Sequence, residues 1–358
     1  MIRQRFGEDT AIVCLMSGNY VQRGAPAIFD RTVRAKAAIL GGANLVMELP
    51  VTACLSSAEG FASAGVSILT PLCDYLCFGT ESGDTASLMR TAEALLSPAF
   101  SEQLRRQLAA GISFPAARQG ALEALGIPGT LLEQPNDILA TEYCKAILAQ
   151  GSTLVPFPVT RQGSYHAEVP DAENPSATAL RQCILSGTDW RSYVPPEAAP
   201  CFEDAAVHTL SSGERAILAK LRTMTDDEFE ALPYGSEGLW RRLMHASREE
   251  GCLEDILTRV KTKRYTRSRL DRMVLCAFLG LTQADLAKPA PYARILAFDD
   301  AGRSLLKGHP FCKNLGWQEE SHYAALEQRC NTLYGLFCQD GISKADTAQK
   351  QRLFYLHR

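Results

Sequence analysis

No apolar run in this chain approaches the roughly 18 residues that a membrane helix needs, and no charged-then-apolar leader opens it. The expectation is a cytoplasmic protein with no membrane partner. Histidine is scarce: there are six in 358 residues, the first of them His166. A large charge of either sign is missing too, since 37 Lys and Arg against 40 Asp and Glu leave a net charge of -3. Any nucleic-acid contact must then come from a local patch. Twelve cysteines are present, but ligand pairs at metal spacing are not. The closest pair, Cys73 and Cys77, brackets a strand candidate and has no matching second pair, so no metal site is expected and most thiols read as small, reduced, buried apolar groups. There is no internal repeat and no low-complexity tract.

What is present is ordinary for a globular protein, with 46% hydrophobic and 22% charged residues. A length of 358 residues exceeds the roughly 250 to 300 at which single cores stop growing, which favours two domains. Thr10 to Met16 is a short apolar, β-branched run that reads as a buried strand. Asp30 can cap a helix with an apolar face of Val33, Ala37 and Leu40, and Gly41-Gly42 stops it before a second run, Leu45 to Leu49. A helix from about Ser57 to Leu69 follows, with capping-box spacing between Ser56 and Glu59. Then come the strand Asp74 to Gly79, helical stretches from Thr85 to about Gly126, a helix through Ala149 and the strand candidate Thr153 to Val159. Alternating strands and helices predict an α/β, Rossmann-like domain with a parallel sheet over residues 1–193. The proline-rich stretch Val194 to Pro200 marks the join to a mainly helical domain, 194–358, in which Arg294 to Lys307 reads as a short hairpin.

Several residues stand where ligands are met. Ser17, Gly18 and Asn19 follow the first strand, at the carboxyl end where open α/β sheets put their crevice. Gly79 opens the loop GTESGD, which is either a close-approach point for a flat ligand or a tight strand-to-helix turn, with Asp84 placed to start a helix. Asn136 reads as an N-cap that can also contact a ligand. Arg161 follows a strand end, where a solvated surface role is the plain alternative. Ser176, Thr178 and Arg181, at the start of a helix, can converge hydroxyls, free N–H groups and a guanidinium on a phosphate. Arg259 to Arg272 carries seven basic residues, among them Lys261, Lys263, Arg264, Arg267 and Arg269, with Tyr265 between them and one acid, Asp271. That pattern suits RNA phosphates and a stacked base, or else a solvated helix face. Trp240, Arg241 and Arg242 extend it.

MSGNYVQRG at Met16 to Gly24, with Glu48 to Pro50 (ELP), Ser56 to Ala62 (SSAEGFA), Cys77 to Asp84 (CFGTESGD), Pro135 to Tyr143 (PNDILATEY), Ser164 to Glu168 (SYHAE), Ser176 to Arg181 (SATALR) and Lys261 to Leu270 (KTKRYTRSRL), resembles the bacterial tRNA(Met) cytidine acetate ligases of the HIGH superfamily. The resemblance runs through nearly the whole chain. It implies an ATP-dependent ligase that activates acetate as acetyl-adenylate and acetylates the wobble cytidine of elongator tRNA(Met), with Mg2+ accompanying the ATP. It implies ATP contacts at Gly79, Asn136, Arg161, Ser176, Thr178 and Arg181, and a pocket wall at Ser17, Gly18, Asn19 and Gln22. It implies tRNA contacts at Lys261, Lys263, Arg264, Tyr265, Arg267 and Arg269. Two departures stand out. A second Asn of the family's PN motif is Asp137 here, and the family's opening strand and His-x-Gly-His loop have no counterpart, which suggests N-terminal truncation and an inactive chain. The competing expectations are a tRNA-binding protein without ligase activity and a nucleotidyltransferase acting on a small metabolite.

Overall fold

The computed structural model describes residues 1–160, 176–262, 264–287, 292–307, 322–341 and 353–357. Among them eight strands run in chain order: β1 (Val13–Ser17), β2 (Tyr20–Val21), β3 (Ala25–Pro26), β4 (Leu45–Leu49), β5 (Tyr75–Thr80), β6 (Val155–Thr160), β7 (Arg294–Asp299) and β8 (Phe354–Leu356). The architecture is mixed α/β, with parallel strand pairs and many helices. The compact units do not follow the boundary expected at residue 193. One is continuous, Ser56–Ser176; the other joins Met1–Leu55 to Ala177–Arg358.

In the discontinuous unit the strand order is β1-β4-β7-β8. β1 pairs parallel with β4, Ser17 opposite Leu49. Every residue of β4 is buried, so this apolar strand needs a neighbour on each side. The second neighbour comes from far along the chain: β7 lies antiparallel to β4, with an irregularity between Val46 and Met47, and β8 is parallel to β7. The hairpin expected at Arg294 to Lys307 is therefore a strand followed by the helix Asp300–Leu306, because RILAF completes the sheet rather than folding on itself. Asp30 caps the Arg31–Leu40 helix as the sequence indicated, accepting from Thr32 N–H at 2.6 Å. Its deepest residues are Ala35, Ala37 and Ile39; Val33 and Leu40 are only half-buried. The proline-rich segment is no free linker, since Phe202 packs 5.0 Å from Phe29, Trp190 stands edge-on to Phe202 at 5.9 Å, and Ala198 and Ala199 are buried.

The mainly helical character expected of the second half is present, with helices Glu214–Thr223, Leu239–Glu249, Leu253–Val260 and Arg267–Leu279, and a further helix, His322–Tyr334, that sequence pattern did not single out. Their core holds Ile217, Leu221, Phe229, Tyr334 and Phe337, and it also takes in Tyr20, Val51 and Leu55 from the first 55 residues. Each aliphatic or aromatic side chain so buried contributes about 1.5–3 kcal/mol. Tyr20 stands edge-on to Tyr334 at 5.9 Å and donates its hydroxyl to the Cys330 carbonyl at 2.8 Å, and Tyr334 donates to the Ala27 carbonyl at 2.6 Å.

The continuous unit, Ser56–Ser176, carries the parallel pair β5 and β6, with Gly79 opposite Val159. The helices Ala58–Leu69, Thr85–Leu96 and Pro135–Gln150 pack together beside it, and Pro98–Ala109 with Phe114–Glu123 forms a small satellite around Leu95, Phe100 and Leu122. Ser57 rather than Ser56 caps the first helix, its hydroxyl accepting from Gly60 N–H at 3.3 Å, while Glu59 pairs with Lys145 at 2.8 Å. Asp84 caps the next helix through the Ala86 and Ser87 N–H groups.

Candidate functional site

The residues singled out above fall into separate clusters. Gly79 and Asn136 lie in the continuous unit, which ends at the buried Ser176; Thr178, Arg181, the Ser17–Gln22 loop and the basic segment lie in the other. Arg161, His166 and Lys263 lie outside the described residues.

At the end of β5, alternation turns Leu76, Phe78 and Thr80 inward and leaves Tyr75, Cys77 and Gly79 exposed. The loop that follows is locked to the start of the Pro135–Gln150 helix. Glu81 accepts from the Asn136 side-chain amide at 2.7 Å, from Asn136 N–H at 3.3 Å and from Asp137 N–H at 2.8 Å. Asp137, 2% exposed, accepts in return from Glu81 N–H at 3.1 Å, Ser82 N–H at 3.2 Å and the Ser82 hydroxyl at 3.0 Å. Asn136 is thus inside the helix and does not cap it. The N-cap position is Gln134, which makes no side-chain bond, and Glu81 satisfies two of the free helix N–H groups from across the loop. Asp137 fits its place as a carboxylate because every neighbour pointing at it is a donor.

MSGNYVQRG is mostly scaffold. Asn19 is 4% exposed; its oxygen accepts from Arg31 N–H at 2.9 Å and its amide donates to Asn331 at 3.1 Å, so the side chain faces inward and not into a pocket wall. Gly18 is demanded by a close approach: a Cβ there would stand 2.1 Å from Glu48 Oε1. Arg34 gathers the turn, donating to the carbonyls of Phe29 at 2.9 Å, Ser17 at 3.0 Å and Gly18. Beneath it lies a buried charge cluster, with Arg31 and Glu48 paired at 3.1 Å, Arg294 at 3.9 Å from the same carboxylate, and Glu327 accepting from Val51 N–H. Burial first, then the neighbouring Glu48, pushes Glu327 up to about 7. Ser17 and Gln22 remain partly exposed. Gly24, at φ 82°, presses on the Arg267–Leu279 helix, where a Cβ would meet Arg272 N at 2.4 Å. Arg23 beside it reaches Thr178 Oγ1 at 3.4 Å, and Arg181, one turn further along the Ala177–Ser186 helix, is half-buried.

The basic segment is less bare than its sequence. Arg267 forks onto Glu254 at 2.7 Å and Asp271 at 2.8 Å, Arg259 binds Glu250 at 2.7 Å and also Glu249, and Arg264 binds Glu237 at 2.6 Å. Arg269 donates to the Tyr234 carbonyl at 2.7 Å and the Ser236 hydroxyl at 2.9 Å, and lies 5.2 Å from the centroid of Tyr265. Tyr265 is only 5% exposed, so it packs in the core and offers no face for a base to stack on. Lys261 stays exposed, near the Glu254 carboxylate, and Arg241 and Arg242 are exposed without an acidic partner among the described residues; Arg241 lies 4.8 Å over the Trp240 ring. No three metal-ligating side chains come together among the described residues, and no described helix is long and apolar enough to cross a membrane.

A model of the HIGH nucleotidyl transferase family matches residues 1–350. The chain is 33% identical over 321 residues to the tRNA(Met) cytidine acetate ligase of Acetivibrio thermocellus, covering 82% of this chain and 77% of that protein. It is 32% identical over 315 residues to the ligase of Clostridium novyi, covering 83% and 79%. The chain belongs to this ligase family within the HIGH nucleotidyl transferases. Its fold is similar to Thermotoga maritima TmcAL without ligand, with TM-score 0.87 and 27% identity over 100% of this chain and 95% of that one. It is also similar to the same protein bound with alpha-thio ATP, with TM-score 0.85 and 26% identity over 99% and 94%.

In this member of the ligase family the residues that hold the candidate contacts in place, Glu81, Arg31, Arg34, Glu48 and Glu327, carry little signal in the linear sequence. One signal was available for Glu48. A carboxylate inside the otherwise apolar run LVMEL announces a buried partner, and Arg31 and Arg34, one turn apart on the preceding helix, are the nearest arginines in sequence. Nothing local pointed to Glu327, which arrives from the far end of the chain.

Proposed function

We propose that this chain is a tRNA(Met) cytidine acetate ligase. The observation that carries the reading is its identity of 32–33% over more than four-fifths of its length to ligases of that name; the likeness to a relative bound with alpha-thio ATP supports the nucleotide half. In the proposed reaction an acetate oxygen attacks the α-phosphorus of ATP, forming acetyl-adenylate as the bond to pyrophosphate breaks. The N4 amine of the wobble cytidine in elongator tRNA(Met) then attacks the acetyl carbon; AMP leaves and the amine gives up a proton.

Such a reaction is served by placement and by charge stabilisation on the phosphates. Gly79 lets the nucleotide approach the backbone closely, and Asn136 offers amide groups to the adenosine. Arg161, Ser176, Thr178 and Arg181 serve the triphosphate, whose Mg2+ is brought by the nucleotide. Ser17, Gly18 and Gln22 line the acetate or nucleotide side, with Asn19 holding the loop from within. Lys261, Arg264 and Arg269 meet tRNA, joined by Arg241 and Arg242, which have no acidic partner among the described residues; Arg267, held by two carboxylates, braces that surface.

The test is acetate-dependent pyrophosphate release together with transfer of labelled acetate to a tRNA(Met) transcript. Ligase activity requires both, and both should fall at least tenfold in Asn136→Ala and Arg181→Ala if each removes one charge-bearing or bidentate contact. Salt-dependent tRNA binding without pyrophosphate release would replace the proposal with a non-catalytic RNA-binding protein. Pyrophosphate release that is indifferent to acetate and tRNA would replace it with a small-metabolite nucleotidyltransferase.

A further inference from the structure

The Glu81–Asp137 clamp does more than hold a loop. Among the described residues the three donors on the Glu81 carboxylate come from Asn136 and Asp137, and one of them is the Asn136 side-chain amide at 2.7 Å. A carboxylate only accepts, so the amide nitrogen of Asn136 must face Glu81. That choice turns the carbonyl oxygen of Asn136, with its second N–H, away from the clamp. The backbone that carries Glu81 is fixed, because its N–H and the next residue's N–H and hydroxyl are pinned by the buried Asp137, and its carboxylate is held by the two helix N–H groups of Asn136 and Asp137. The amide therefore presents one fixed pair, an acceptor beside a donor.

We infer that Glu81 is a positioning residue that sets base specificity through Asn136. An acceptor beside a donor matches the adenine edge, where an exocyclic amine sits next to a ring nitrogen. It mismatches hypoxanthine and guanine, which carry a carbonyl in place of that amine. The inference rests on the reading that Asn136 contacts ATP, and it adds that a residue with no contact to the base decides which purine is taken.

The experiment measures binding of ATP and ITP to the full-length chain by calorimetry, for the parent and for Glu81→Gln, Glu81→Ala and Asn136→Ala, with melting temperatures as a check on folding. The parent should prefer ATP by about tenfold or more, the size of a lost bidentate base contact. Glu81→Gln puts an amide NH2 against a backbone N–H, and Glu81→Ala removes the acceptor altogether; in both the ATP-to-ITP ratio should fall towards one. A merely structural role for Glu81 would lower both affinities in parallel and leave the ratio unchanged, which would overturn the inference. A parent that binds ATP and ITP equally would also overturn it. If Asn136→Ala leaves ATP affinity untouched, the contact between Asn136 and ATP falls first and the inference with it, whereas a ratio lost in Asn136→Ala but kept in both Glu81 variants removes the inference alone.

Discussion

At the scale of the residue, the decisive observations concern groups that touch one another rather than solvent. Gly18 has no room for a methyl group, so Gly18→Ala must push Glu48 off Arg31. Disturbing a buried ion pair in this way should cost about 3 kcal/mol or more, read as a drop in denaturant midpoint at unchanged m-value. Glu327 yields a prediction with a sign. Its carboxyl is raised from 4.5 to about 7, chiefly by burial and next by Glu48. A raised acid favours folding while it is protonated, so its contribution is full below the ordinary glutamate range and is lost as pH climbs through 7. Glu327→Gln keeps an acceptor for Val51 N–H and cannot ionise. Its melting temperature should therefore depend less on pH between 4.5 and 7 than the parent's, and an unchanged slope would show that the cluster does not titrate there.

At the scale of the element, the β2–β3 hairpin and the Arg267–Leu279 helix are joined through one glycine. Gly24→Ala requires a left-handed backbone and a Cβ 2.4 Å from helix backbone, so the hairpin must lift off or the helix must shift. Accelerated hydrogen exchange at Val21 to Ala25 and around Asp271 and Arg272 in the second turn of that helix is the expected readout. The basic segment divides in the same way. Arg267 is spent on Glu254 and Asp271, so Arg267→Ala should lower stability more than the salt-dependence of tRNA binding. Arg241→Glu with Arg242→Glu should do the reverse, weakening tRNA binding and flattening its dependence on salt, since neither side chain has an acidic partner among the described residues. The linear sequence could not separate these groups: it places one acid in the segment, while the fold brings Glu237, Glu249, Glu250 and Glu254 to it.

At the scale of the whole molecule, the discontinuous unit sets what can fold alone. Its helical core includes Tyr20, Val51 and Leu55, so a fragment of residues 194–358 would leave that core open. Such a fragment should bind hydrophobic dye and lack a cooperative thermal transition, while the continuous stretch 56–176 should retain its helical circular dichroism. Much was legible without coordinates. Asp30 and Asp84 as caps, strands read at 10–16, 45–49, 74–79 and 153–159 and found within a few residues of those bounds, and a run of helices after residue 209 follow from periodicity and capping, which are properties of neighbouring residues. Motif order sufficed for the family, because long motifs at consistent spacing survive without geometry. Tertiary structure alone decided the rest. It placed RILAF beside β4, turned Asn19 and Tyr265 inward, neutralised Arg267, and set Glu81 against Asn136. Each of these depends on groups brought together from distant parts of the chain, where burial and charge pairing, rather than local preference, determine what a side chain faces.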